Sequence, residues 1–461
     1  MTHSVESELS RFVAELEWDD VPAPVQKRVL DIWADTLANA LAGRRAANTA
    51  VVQQLADRLC GPGESTVIGG ATASLTAAAL INGHQITAFT MCDVYRPALC
   101  HITPEVVPAA LAVAEGGDVG GRELLTGLAV GLEVTARLGL GIDYPSFRGK
   151  GWHTPGIIGT VGAACAAARV IGLNDRGVRA AMGLGVSQAS GTFAALGTPA
   201  VKFHQGRGAV SGLWAAMFTA DGLGGTERGL THSDGGLFTT YADGGRPELV
   251  TEGLGRIWEL EQISLRRWPA ASSLQSLVAA LLELGDDLDP LEAIASVEIA
   301  LPPTPFEMCA HVGWDDELTA MQSTRYVTAV VLTDRRCWID SFGAVRRADP
   351  TLVDFAAHQV TVVRDDTLPP TGVEVRIVAG GRVSALRRDR APGEPREPLT
   401  RSQIDGKVEQ ASAGTPIAAA GRLDDVTTRV GDRRVVEVCV DLRTTAAANR
   451  GGNDREYAAS R

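Results

Sequence analysis

Aromatic residues, cysteines and positive charge are all scarce in this sequence. Phe, Trp and Tyr make up 5% of 461 residues, so the 45% apolar content rests mainly on alanine, leucine and valine. Small aliphatic side chains suit closely packed helices better than an aromatic-rich β-sandwich. The 43 Lys+Arg against 55 Asp+Glu leave a formal net charge of −12. That balance argues against nucleic acid as a partner, because phosphate neutralisation needs clustered cations. A small acidic substrate stays compatible with it, since one local cationic pocket is enough. The seven cysteines (Cys60, Cys92, Cys100, Cys165, Cys309, Cys337, Cys439) form no CxxC pair and read as reduced, packed thiols of a cytoplasmic protein. The acidic, amphipathic start MTHSVESELSRF has no basic start followed by an apolar run, so no signal peptide is expected there. Residues 156–173 are the most apolar window, but they carry Arg169 and are mostly Gly and Ala, so a buried helix is expected and no membrane association.

Metal and nucleotide signatures are missing too. There is no HExxH, no carboxylate-rich calcium loop, and no GxGxxG after a predicted strand. The expectation is therefore no metal and no cofactor, leaving acid–base chemistry by side chains.

Helical periodicity runs through the first 260 residues, at 74–81, 108–114, 123–138, 155–171, 175–189 and 209–220 among others. The texture then changes. A helix at 273–284 precedes a period-two stretch at 295–301, helices at 319–332 and 351–358, and strands at 359–364, 372–377 and 382–386, with Gly380 and Gly381 as a turn. The predicted fold is mainly α: a large all-helical domain (1–262), a smaller α+β lid domain (263–395), and a C-terminal segment (396–461) returning to the helical domain before a mobile tail after Thr444.

Four polar clusters sit at predicted helix ends. MCDVYRPALCHITPEVVP offers Asp93, Tyr95, Arg96 and His101. In FRGKGWHTPG, Thr154 fits the N-cap and Pro155 the first helical position, leaving His153 beside free N–H groups that attract carboxylates. VKFHQGRGAVSG carries Lys202, His204 and Arg207 into a helix, and LRRWPAASS carries Arg266 and Arg267. Each residue alone has an ordinary structural explanation, Tyr326 included, which by itself reads as half-buried packing.

Taken in order, these segments resemble the MmgE/PrpD family, whose members include 2-methylcitrate dehydratase, cis-aconitate decarboxylase and iminodisuccinate epimerase. The resemblance runs over nearly the whole chain and is most specific in INGHQITAFTMCDVYRPALCHITPEVVPAALA, GKGWHTPGIIGTVGAACAAA, SQASGTFAALGTPAVKFHQGRGAVSGLWAA and STRYVTAVVL. It implies a homodimer and a metal- and cofactor-independent lyase. His101, His153, Lys202 and Tyr326 fall on the family's active-site positions. Two departures accompany it. Where the family reads LDFDDT, this chain has Phe89, Thr90, Met91, Cys92, Asp93, Val94 and Tyr95; Met91 and Val94 replace carboxylates, Asp93 persists and Tyr95 takes the threonine position. The usual Lys-x-Tyr-Pro becomes Arg266, Arg267, Trp268 and Pro269, and a following histidine becomes Gln275. The resemblance implies carbanion or enolate chemistry next to a carboxylate. His101 is the expected acid, Lys202, Arg266 and the Thr154 helix start bind carboxylates, and Asp93 or Tyr95 supplies a base if the reaction is a dehydration. Loss of two carboxylates shades the expectation toward decarboxylation, with an epimerase or a non-catalytic scaffold as alternatives.

Overall fold

Glycine and alanine at helix contacts decide how the first half of the chain packs. The computed structural model describes residues 4–285, 291–419 and 421–443. Its helical portion is built around α1 (Ala23–Gly43), α2 (Leu75–Ala88), α3 (Thr103–Gly116), α4 (Gly121–Gly141), α5 (Thr160–Ile171), α6 (Asp175–Gln188) and α7 (Ala200–Ala220). The almost wholly buried α5 follows a π-helical turn, Pro155–Gly159, and packs against α3, α4, α6 and α7. Long and apolar enough to cross a membrane, α4 instead lies buried in this core. It holds a fully buried Glu133–Arg137 pair at 2.6 Å, and Arg137 also donates to the carbonyls of Val250, Glu252 and Ile257. A single glycine contact sets the spacing of α2, α3 and α7. A Cβ on Gly83 of α2 would lie 2.8 Å from the Gly206 Cα of α7 and 2.7 Å from the Pro104 carbonyl of α3. Only bare backbone lets the three helices meet so closely.

The predicted helix at 209–220 begins earlier, at Ala200, so Lys202, His204 and Arg207 lie within its first turns and not before it. Glycines 206 and 208 weaken the sequence signal for a helix, and packing against α2 and α3 overrides it.

A short antiparallel pair, β1 (Val94–Tyr95) with β2 (Ile263–Ser264), brings residues 263–268 onto the loop that follows α2. Beyond it come α8 (Gln275–Gly285), β3 (Ile294–Leu301), α9 (Thr324–Asp334), α10 (Pro350–His358), β4 (Val360–Arg364), β5 (Val373–Ala379) and β6 (Arg382–Arg388). The sheet order is β4-β3-β5-β6. Strands β3 and β4 run parallel with Val297 opposite Val360, while β5 is antiparallel to β3 with Ile377 opposite Val297. Gly380 and Gly381, both at positive φ, close the two-residue β5–β6 hairpin, as two-residue turns of this hand require. Along β5, Val373, Val375, Ile377 and Ala379 face the covering helices, giving the period-two burial of a one-sided sheet. The helix expected at 319–332 is two: Glu317–Ala320, then α9, which Ser323 starts by accepting from the Tyr326 N–H. The predicted mobile tail after Thr444 lies outside the described residues.

Helix α11 (Arg401–Ser412) opens with a capping box between Thr400 and Gln403 and packs on α1. From it the buried Lys407 ammonium donates to Asp35 Oδ1 at 2.6 Å, the Arg266 carbonyl at 2.7 Å and the Met91 carbonyl at 3.2 Å. Removing one partner of a buried pair strands the other charge. Lys407→Met is therefore expected to cost about 3–5 kcal/mol in urea unfolding. A loss below about 1 kcal/mol would show that this ammonium does not tie the segments together.

Candidate active site

The chain leaves α2 through Phe89 into Thr90, whose φ of 58° lies in the left-handed region that a β-branched residue enters only at a cost. Asp93 anchors the rest of the loop. One carboxylate oxygen accepts from Ile102 N at 2.9 Å; the other accepts from Thr103 N at 3.0 Å and Thr103 Oγ1 at 2.6 Å. Asp93 thus supplies, from a distance, the acceptors that the start of α3 needs. Its oxygens are engaged, and it is not the free base that sequence allowed. Burial pushes its pKa up.

His101, immediately before this helix start, sets Nδ1 2.6 Å from the Asp93 carbonyl. A carbonyl can only accept, so Nδ1 carries the proton and Nε2 is left as an acceptor. Burial, then the charges of Arg266 and Lys202, push the His101 pKa down against the opposing pull of Asp93, so the ring is neutral at rest.

Lys202 reaches in from α7, where the Gly83–Gly206 crossing holds the helix against α2. Lys202 is 7% exposed, and its ammonium donates to Thr90 Oγ1 at 3.2 Å and Thr87 Oγ1 at 3.4 Å. Burial lowers its pKa to about 8. Arg266, 2% exposed, donates through Nη2 to Cys92 Sγ at 3.0 Å and through Nε to the Cys92 carbonyl. Neither cation meets a carboxylate among the described residues. Such an arrangement suits an anionic ligand, because a buried cation is stable only when paired.

His153 follows the loop end at Trp152, and its N–H donates to the Gly191 carbonyl at 3.1 Å. Its Nδ1 lies 3.3 Å from His204 Nδ1, so one of the two holds the proton between them. Burial, reinforced by His101, His204 and Lys202, lowers the His153 pKa to about 3. Arg207 is spent on the carbonyls of Gln188, Ser190 and Gly156.

The structure therefore gathers His101, His153, His204, Lys202 and Arg266 around the Asp93 loop. Other expected site residues are directed elsewhere. Tyr326 is buried in the core around α9, stacked near Trp314 and Phe342, and its hydroxyl donates to the Ser341 carbonyl at 2.8 Å. Its charged neighbours are Arg346, Arg347, Asp334 and Asp349, not the histidines. Tyr95 points away toward Glu259, donating at 2.8 Å, and burial raises its pKa far beyond use as a base. Thr154 is not an N-cap: its backbone is already helical, and its hydroxyl faces the carbonyls of Ala98 and Leu99. Gln275 clamps the turn after Arg266 by accepting from Arg267 N and Trp268 N and donating to the carbonyls of Trp268 and Ala270. Met91 is buried, contributing its carbonyl to Lys407, and the Arg267 guanidinium lies 5.0 Å over the Trp268 ring.

One residue of the cluster escaped sequence reading. His84 on α2 is 2% exposed, and neither ring nitrogen has a hydrogen-bond partner among the described residues. Its position one turn before Thr87 was readable, but nothing in the sequence told that Lys202 would arrive there. Two surface grooves, one lined by Glu8, Phe12 and Arg256 and the other by Pro350 and Phe355, contain none of these residues. Among the described residues no metal-ligating group of three forms.

A histidine kept neutral in the fold takes up a proton only on unfolding, so its contribution to stability falls as pH drops below 6.5. For His153, depressed to about 3, the loss is about 1.4 kcal/mol per pH unit. Between pH 7 and pH 5, His153→Gln should lose about 2 kcal/mol less stability in urea than the parent, and equal losses would contradict the neutral ring. Tyr326→Phe should lower stability by about 1 kcal/mol and change kcat less than about tenfold in a turnover assay, because its hydroxyl serves the Ser341 carbonyl. A much larger loss of kcat would place that hydroxyl at the substrate.

Known proteins resemble this chain over most of its length. A cis-aconitate decarboxylase-like protein of Aspergillus oryzae is 28% identical over 74% of this chain and 75% of its own length. The cis-aconitate decarboxylases of Aspergillus terreus and Homo sapiens are each 26% identical, over 73% and 72% of this chain and 74% and 71% of theirs. These relatives support an enzyme of lyase type. The model of the MmgE/PrpD N-terminal domain matches residues 7–250 and that of the C-terminal domain residues 268–426. The chain belongs to the MmgE/PrpD family.

Proposed function

We propose that this protein is a cofactor-independent decarboxylating lyase for a small polycarboxylate. The observation that carries the reading is the pair of buried cations, Lys202 and Arg266, held without a carboxylate partner among the described residues. Substrate carboxylates would pair with both. The C–C bond to one carboxylate then breaks, CO₂ leaves, and the electron pair remains on carbon next to a second carboxylate. The two cations stabilise that charge, and losing one such donor typically costs roughly 10²–10³ in rate.

A proton to carbon completes the reaction. His101 is the donor in this proposal, but it has to acquire its proton with the substrate. Arriving carboxylates offset the charges of Lys202 and Arg266, which hold the ring neutral at rest. Dehydration is the second reading. It needs an additional base, and the bases that sequence offered, Asp93 and Tyr95, are already engaged. The same absence weighs against an epimerase. A non-catalytic scaffold would have no use for unpaired buried cations.

Two wider features belong to this proposal. Exposed Val51, Leu55 and Leu59 on one helix, and Trp214 and Phe218 on α7, support a homodimer. Seven free cysteines support a reducing, cytoplasmic setting.

Proton NMR in D₂O with cis-aconitate and 2-methylcitrate tests the chemistry. The expected result is loss of cis-aconitate with deuterium in a decarboxylated product, slowed at least about 100-fold in Lys202→Met. An unsaturated product from 2-methylcitrate would instead establish the dehydratase, and no turnover of any polycarboxylate would refute a lyase of this class.

A further inference from the structure

His84 differs from every other polar group of the cluster except the neighbouring Glu105 in having no hydrogen-bond partner among the described residues. Lys202 leans on two threonines, Arg266 on Cys92, His101 on the Asp93 carbonyl, and His153 on His204. Both His84 ring nitrogens are buried and unpaired, a condition that a leucine at the same position would avoid. Glu105 is similarly orphaned, but its side chain lies packed against Gly159 and Gly208, and burial pushes its pKa up.

The surroundings of His84 point to a ligand. It shares a face of α2 with Thr87, one turn further on, and Thr87 touches the Lys202 ammonium. The backbone next to it is fixed, because a Cβ on Gly206 would lie 3.3 Å from the His84 nitrogen of the main chain. The charged group that it feels is Lys202, which together with burial keeps the ring neutral. A neutral imidazole offers one N–H donor and one acceptor, and so recognises a carboxyl or hydroxyl group without adding charge.

We propose that His84 is a specificity-determining residue, hydrogen-bonding to a second carboxyl or a hydroxyl group of the substrate whose neighbouring carboxylate pairs with Lys202. This role rests on the polycarboxylate reading and names its additional recognition point. The site then selects compounds with two polar groups in close succession and discriminates against simple monocarboxylates. A site built to hydrogen-bond a substrate group rejects an analogue that lacks it, because its own polar atoms would stay unpaired.

Titration calorimetry at pH 7 with cis-aconitate, citrate and crotonate, on the parent and on His84→Leu, separates the possibilities. Expected is a loss of about tenfold or more in affinity for the tighter-binding polycarboxylate, an unchanged affinity for crotonate, and a Tm of the unliganded variant equal to or above that of the parent. His84→Asn, which keeps a donor and an acceptor, should recover part of the loss. Equal polycarboxylate affinity in His84→Leu would overturn the inference while leaving the lyase reading intact. So would a lowered Tm with a uniform loss for all three compounds, since that is the mark of a structural role. A parent protein that binds none of the three would overturn both.

Discussion

The ammonium of Lys407 joins three stretches that are far apart in the chain: Asp35 on α1, the Met91 carbonyl in the loop after α2, and the Arg266 carbonyl after β2. A lysine can be buried only when its hydration is replaced, and here three oxygens replace it. The site depends on that knot. Fixing the Met91 and Arg266 carbonyls sets the Arg266 guanidinium against Cys92, and the loop then continues into Asp93, which caps α3 and gives His101 its carbonyl partner. Geometry is thus handed from a helix late in the chain to the residue proposed to deliver the proton.

Electrostatically, the assembled site is unfinished. Two buried cations face neutral imidazoles, and the carboxylate in the middle, Asp93, is committed to backbone N–H groups. An entering anion lowers the energy of both cations and raises the proton affinity of His101 in the same event. In the proposed reaction, binding and the arming of His101 are therefore one step.

Much of the fold was legible. The alternation of 295–301, the double-glycine turn and the long apolar period of α4 are local signals that packing reinforces. The start of α7 was not, because Gly206 and Gly208 look like loop residues until α2 and α3 lie against them. At the site, His101, His153, Lys202 and Arg266 were readable as polar residues near predicted helix ends. Residue type announces what a side chain can do but not where it points. Tyr95, Tyr326, Thr154 and Gln275 carry suitable groups, yet Glu259, Ser341, the Ala98 carbonyl and the Arg267 turn claim them. His84 lay hidden for the opposite reason. Its lack of a partner is a property of three packed helices, and no single stretch of sequence contains it.

The crossing of Gly83 and Gly206 has a further meaning. At that point α2 and α7 approach at bare backbone, beside the Leu80 side chain, and the close approach holds the two helices together whatever occupies positions 84, 87 and 202. Position 84, position 87 and position 202 become interchangeable fittings on a rigid mount. A lineage could alter the shape and polarity of this cluster by single substitutions, without having to renegotiate the packing of the domain.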